Sequence, residues 1–341
     1  MKAATLYRFG DIRIEDIPVP DVGPGEALVK VRASGICTGD VMPWYIEKKA
    51  PLVPGHELAG DIAATGRGVT GYREGDRVFV HHHAPCMECF FCLRKDYVQC
   101  ETWKTSRIVP GGIAEYVLVP EINLKHDTLR IPDTLSYEDA SLIEPLACVV
   151  KSLNRSGFRP GDAVLVIGLG VMGMMHMLLA RHLGAGKVIG ADMTAFRLQK
   201  ALNLGADVVI DVRSSPVRDS TLSLTENRGA DIVIVGPNSA TAMKEGLEAV
   251  APGGTALFFT PAKPGETLTL DPNALYFRDI RIVNSYSCGP DHTRQALEII
   301  SGGAVSADKL VTHRLPIEDT AMGFRLVAEA RESLKVLIVV P

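Results

Sequence analysis

Cys86, Cys89, Cys92 and Cys100 read C-x2-C-x2-C-x7-C. That spacing lets four thiolates converge tetrahedrally on one zinc ion from a single loop. Four sulfur ligands leave no open coordination position, so this zinc is expected to stabilise the loop and perform no chemistry. A redox Cys-x-x-Cys pair would not require two further cysteines in step, and a total of seven cysteines does not suit a disulfide framework. A second chemical signal is glycine. Gly168, Gly170 and Gly173 form G-x-G-x-x-G, with Leu169, Val171 and Met172 between them. In such a turn the first glycine permits the tight bend, the second lets the backbone approach a pyrophosphate, and the third lets helix and strand pack closely. Glycines alone are a weak signal in a chain that has 32 of them. Asp192, ending the next apolar run, strengthens it, because a carboxylate there accepts hydrogen bonds from the adenosine ribose. The same charge opposes a 2′-phosphate, so NAD is expected over NADP. Arg197, five residues on, faces either the adenine or a phosphate.

The elements that must position these groups fall into two grammars. Up to about residue 150, short strand-like runs such as 27–33 and 76–82 alternate with turns rich in Gly and Pro, which is the pattern of a β-rich domain. From Pro160 the runs become continuously apolar, at 163–168, 187–192, 206–211, 230–235 and 255–260, with a sixth over Ile280 to Ser285. Helix-like segments such as 239–252 separate them, and such alternation indicates a parallel sheet covered on both faces. The fold class is therefore α/β, with a doubly wound parallel-sheet (Rossmann) cofactor domain. The tail holds one helix-like stretch, 293–303, and a last strand, 335–340, that returns to the first domain. His176 and His182 fall in the segment after the glycine turn and read as ordinary helical residues.

With 341 residues, two domains are the natural expectation. Thirty-six Lys and Arg against 40 Asp and Glu, without a basic stretch, argue against nucleic acid as a partner. No window reaches the roughly 18 apolar residues of a membrane span, and the N-terminal run alternates like a strand, unlike a signal peptide. A soluble cytoplasmic protein is expected.

Cys37 in GICTGD and His56 in PGHE are each, in isolation, unremarkable residues. In sequence order, however, GIC with Asp40, PGHE at 54–57, EGDRV at 74–78, the cysteine lobe, PGGIAEY at 110–116, IEPLA at 143–147 and the glycine turn resemble the medium-chain zinc dehydrogenases. The resemblance covers essentially the whole chain and is strongest to the sorbitol and threonine dehydrogenase branch. It implies that Cys37, His56 and Glu144 hold a catalytic zinc, with Glu144 where other members have cysteine. It also implies that Glu57 sits behind the metal or exchanges onto it, and that Asp40 orients the ligating imidazole. His81, His82 and His83 are expected as surface or pocket-wall residues.

The implied architecture is a chaperonin-10-like catalytic domain built from 1–152 and 291–341, with the cofactor domain over 153–290 between them. The implied activity is transfer of hydride from a secondary alcohol or polyol to NAD, with two zinc ions per chain, the two sites meeting at a cleft between the domains. A homodimer or homotetramer is expected. A hydroxy acid, an amino alcohol such as threonine, or a cyclic hydroxyacyl thioester is the alternative substrate, and a non-catalytic nucleotide-sensing zinc protein is the rival from another class. One departure stands out. Where the family pattern has Ser or Thr two residues after the cysteine ligand, and commonly His three further on, this chain has Gly39 and Met42. The standard proton relay is thus expected to be absent, leaving Thr38, water or the substrate itself to carry the proton.

Overall fold

The computed structural model describes all residues, Met1–Pro341. The chain divides into two compact units, Met1–Ala147 with Cys288–Pro341, and Cys148–Ser287.

In the first unit, strands β1 (Lys2–Arg8), β2 (Asp11–Asp16), β3 (Ala27–Gly35), β4 (Glu57–Thr65), β5 (Arg77–His81), β6 (Tyr116–Val119) and β7 (Thr128–Arg130) precede the first boundary. The second unit contributes β8 (Ala163–Ile167), β9 (Lys187–Asp192), β10 (Val208–Asp211), β11 (Ala230–Val235), β12 (Val250–Phe258) and β13 (Arg281–Asn284). The tail returns with β14 (Val311–Pro316) and β15 (Lys335–Val339).

Alternating apolar residues explain the first sheet. Val29 and Val31 on β3, Leu58 and Ile62 on β4, Val78 and Val80 on β5, and Val336 and Ile338 on β15 are all buried in one core. That core forms because β-branched side chains fit a pleated surface and remove apolar area from water. The sheet order is β14-β15-β3-β4-β5-β7, with β6 also on β3, and β1 and β2 form a separate hairpin. β15 runs antiparallel to β3, pairing Leu337 with Gly35, so the C-terminal strand joins the first unit's sheet. Among the consequences, β3, β4 and β5 bring their ends together: Glu57 pairs with Gly35 on one side and with His81 on the other.

The second unit is a six-stranded parallel sheet in the order β10-β9-β8-β11-β12-β13. Its central strands β8 and β11 are almost wholly apolar and buried, as expected of a parallel sheet covered on both faces, while the edge strand β13 exposes Arg281 and Asn284. Leu165, Ile167, Ile189, Ala191, Val233, Val235 and Ala256 form its core. The order reverses between β8 and β11, which is where doubly wound sheets bind ligands.

Two expectations shift. The division at 147/148 falls inside the continuous helix Ile143–Ser156, so the first turn of that helix, with Glu144, belongs to the first unit. Residues 250–252, expected as the end of a helical stretch, belong to β12: the preceding helix stops at Glu248, and β12 pairs Val250 with Ala230, then Thr255 with Ile232. Pro252 cannot continue a helix, and Gly253 has φ +76°, so the four residues between these pairs bulge out of the ladder.

Candidate active site

The cysteine lobe is a short excursion after β5, built on the turn Phe90–Leu93 and the helix Glu101–Thr105. All four cysteines are free thiols and their sulfurs converge. Sγ separations are 3.5 Å for Cys89–Cys92, 3.7 Å for Cys86–Cys100 and 3.9 Å for Cys86–Cys92. Zinc–sulfur bonds of ~2.3 Å at the tetrahedral angle place sulfurs ~3.8 Å apart, so the donor set fits zinc. Burial would raise the Cys100 thiol, but the backbone amides of Cys86 and Trp103 bring it down to about 6, favouring the thiolate that a metal requires. Tyr97, Val98 and Trp103 pack a small apolar cluster under the sulfurs.

A second group gathers where β3, β4 and β15 meet. Cys37 caps the 3₁₀ turn Thr38–Val41, its Sγ accepting the Gly39 amide at 3.3 Å. The ligand atoms of Cys37, His56 and Glu57 all lie within 4.8 Å of one another. A thiolate, an imidazole and a carboxylate at that separation form a donor set for a zinc with an open position. Behind His56 stands Asp40, with Oδ2 3.5 Å from Nδ1 and its side chain buried. Burial pushes the Asp40 carboxyl up. Burial would lower His56, but the charges of Asp40 and Cys37 raise it well above its ordinary value. Glu57 forms an ion pair with Lys335, both side chains almost wholly buried, and Lys335 Nζ also donates to the Ile36 carbonyl at 3.1 Å. This lysine was not singled out in the sequence; it opens the last strand among apolar residues, and only the fold turns it inward.

Glu144 is buried on the first turn of its helix and close enough to His56 and Glu57 for their charges to act on it. Burial first, then the neighbouring Cys288, raise its carboxyl to about 7. Donor atoms of His81 and His82 lie within 4.8 Å of its carboxylate and of each other. Of the three histidines expected at the surface or in a pocket wall, His81 and His83 are not at the surface: β5 is covered on both faces from Val78 to His81, and His83, which follows it, is buried as well. His81 holds Asp127 at 2.7 Å, and His83 stacks on Trp103 with ring centroids 4.2 Å apart. His82 stacks on His56 at 4.8 Å. Thr38 is exposed.

In the second unit, Gly168 has φ +87°, a conformation other residues rarely adopt, and a Cβ on Gly173 would stand 2.0 Å from the Gly168 carbonyl. A Cβ on Gly170 would meet nothing within 4 Å, so open space lies where a pyrophosphate would approach. Gly170 caps the helix Val171–His182, whose first amides, including those of Val171 and Met172, lack helical partners and suit an anion. The Leu169 amide differs: it donates to Asp192 Oδ2 at 2.7 Å and is satisfied within the protein. Asp192 Oδ1 accepts the Thr194 amide at 2.8 Å, and Arg197 Nη1 lies 3.7 Å from Oδ2. Asp192 thus fixes the glycine turn.

Comparison with known proteins decides the family. Residues 23–133 match the Alcohol dehydrogenase GroES-like domain, and residues 171–302 match the Zinc-binding dehydrogenase domain. Sorbitol dehydrogenase of Bacillus subtilis (strain 168) is 31% identical over 99% of this chain and 97% of its own length. The chain belongs to the medium-chain zinc-dependent dehydrogenase family. Another family member, L-threonine 3-dehydrogenase of Symbiobacterium thermophilum, is 33% identical over 95% of this chain and 93% of its own. A zinc-binding dehydrogenase of Sinorhizobium meliloti 1021, solved bound to NADP, superposes with a TM-score of 0.88 at 27% identity, covering 99% of this chain and 98% of that one. The GroES-like and Rossmann-like parts of the family correspond to the two sheets described above.

Proposed function

We propose that this dehydrogenase oxidises a secondary alcohol or polyol with NAD, at a zinc held by Cys37, His56 and Glu144, with Glu57 as an exchanging ligand. The observation that carries the reading is the convergence of Cys37, His56 and Glu57 with Asp40 behind the imidazole. Sorbitol dehydrogenase among the relatives supports the polyol class. Zinc supplies polarisation of the alcohol oxygen and lowers its pKa, and the nicotinamide accepts the hydride.

The chain's own residues do the rest. Asp40 sets the tautomer and orientation of His56, as partners of ligating imidazoles do. Lys335 balances the Glu57 charge, so a second carboxylate can stand beside the thiolate without an unpaired buried charge. Cys86, Cys89, Cys92 and Cys100 hold the structural zinc. Gly168, Gly170, Gly173, Val171 and Met172 cradle the pyrophosphate, and Asp192, with Arg197 beside it, selects the ribose. The threonine dehydrogenase relative keeps amino alcohols as the second substrate reading. The two units are the catalytic and cofactor domains.

The proton leaves without the usual Ser or Thr and His, through Thr38, water or a hydroxyl of the substrate. Homo-oligomerisation is supported by Tyr276 and Phe277, each 77% exposed just before β13, the edge strand of its sheet. Light scattering should give a dimer or tetramer, and a monomer would refute this. An assay of NADH formation over polyols, simple secondary alcohols, hydroxy acids and threonine tests the function. Turnover with polyols, abolished in Cys37→Ala, is the expected result.

A further inference from the structure

Beside the proposed zinc ligands, and reaching Glu144 among them, lie three donors that this mechanism does not use: His81, His82 and Cys288. His81 is fully buried at the end of β5, and its Nδ1 contacts Asp127 Oδ2 at 2.7 Å. Asp127 is held in turn by Thr293 Oγ1, which donates to Oδ1 at 2.5 Å. This arrangement fixes the imidazole so that Nε2 faces Cys288 Sγ at 3.7 Å, with Cys288 itself 1% exposed. The Glu144 carboxylate lies within 4.8 Å of the donor atoms of His81 and His82, and also within 4.8 Å of Cys288 Sγ. His82 Nδ1 is buried without a hydrogen-bond partner.

Three features of this group match a metal seat. Zinc bonds of ~2.3 Å to sulfur and ~2.0–2.1 Å to nitrogen place the two atoms about 3.6 Å apart at the tetrahedral angle, against the 3.7 Å between Cys288 and His81. An imidazole anchored through one nitrogen to a carboxylate, with the other nitrogen facing further donors, is the arrangement of a metal-bound histidine. A buried imidazole nitrogen with no partner costs free energy that a ligand would recover. An Asp127–His81–Cys288 hydrogen-bond chain alone would account for the first two of these, but not for the partnerless His82 nitrogen.

We propose that His81, His82, Glu144 and Cys288 form a seat for a further divalent cation, near the zinc of Cys37 and His56, with Glu144 shared between the two. One thiolate, two imidazoles and a carboxylate select a borderline-soft ion, zinc or cobalt, over magnesium or calcium. Loading displaces the Cys288 proton to solvent, so uptake is accompanied by acid release. The sharing of Glu144, and only that, rests on the proposed function.

Elemental analysis of the zinc-loaded enzyme and its variants tests the proposal. The expected result is one equivalent beyond the structural and active-site ions, lost in Cys288→Ser and in His81→Gln and retained in Cys37→Ala, which loses a different equivalent. Cobalt loading should show a thiolate-to-cobalt absorption in Cys37→Ala that Cys288→Ser lessens. A wild-type count without the extra equivalent, unchanged by Cys288→Ser, overturns the proposal and leaves a hydrogen-bonded network. Failure of Cys37→Ala to lower the count would instead overturn the active-site reading. Should Cys288→Ser fail to fold, anomalous diffraction from wild-type crystals at the zinc edge decides: a peak between His81 Nε2 and Cys288 Sγ supports the seat, and none refutes it.

Discussion

Cys37 and Cys89 are both metal-ligating thiols in the reading above, yet their replacement should have opposite consequences. Cys37 belongs to an open donor set on a sheet whose core forms without it. Cys37→Ala should abolish turnover and remove about one zinc while leaving the melting temperature nearly unchanged. Cys89 belongs to a closed set around which a short loop folds. Cys89→Ala should lower the melting temperature and leave the other zinc in place, since a structural zinc contributes folding free energy directly. Elemental analysis beside calorimetry checks both. The proton route is also a residue-scale question. A Cβ on Gly39 would meet only Cys37 Sγ, at 3.5 Å, which is ordinary contact, so a serine fits. If Thr38 carries the proton, Thr38→Val should lower kcat at least ~10-fold with little change in KM, on the scale of general-base effects. If water or substrate carries it, that variant should be silent and Gly39→Ser should accelerate simple secondary alcohols. At this scale the sequence was most legible for the lobe, where spacing alone dictates convergence. It was least legible for His81, Asp127 and Lys335, whose partners lie far along the chain and meet them only through sheet pairing.

At the scale of elements, the glycine turn and its helix were readable because each glycine answers a local steric demand, and those demands are met at Gly168 and Gly173. The register of β12 was not, since an alanine-rich helix end and a bulged strand look alike until Pro252 and Gly253 are placed against β11. Asp192 holds the Leu169 amide, and the proposed function gives it a second task, excluding a 2′-phosphate. Asp192→Ala should therefore lower kcat/KM with NAD and shift the NAD to NADP ratio by at least ~10-fold toward NADP, the equivalent of one charge-assisted hydrogen bond. Parallel kinetics with both cofactors measures it; an unchanged ratio would show that Asp192 acts only on the turn. The helix Val171–His182 also holds a pH-dependent element. His176 is buried, with Nδ1 2.8 Å from the Met172 carbonyl and Nε2 2.7 Å from Ser152 Oγ. Burial lowers it to about 4. A histidine neutral in the fold and free to protonate when unfolded contributes stability above pH ~6.5 that is lost as pH falls toward 4, in all roughly 3 kcal/mol. Urea unfolding of the second unit's sheet, followed from pH 7 to pH 4, should show that loss in the wild type and a flatter profile in His176→Gln.

For the whole molecule, composition constrained the class of partner and the change of strand grammar near Pro160 separated the two sheets. The boundary itself was hidden because one helix, Ile143–Ser156, runs through it. No helix is long and apolar enough to cross a membrane. The family explains why both constellations occur in one chain: a GroES-like part carries the open donor set and the cysteine lobe, and a Rossmann-like part carries the glycine turn. The central claim is that these act together in zinc-dependent oxidation of a secondary alcohol or polyol. The most direct measurement is NADH formation by the purified enzyme with a panel of polyols, before and after zinc is removed from the active site and restored. Turnover should be lost on removal, regained with zinc, and absent from Cys37→Ala under every condition; turnover that persists in metal-free enzyme or in Cys37→Ala would overturn zinc-dependent catalysis at this site.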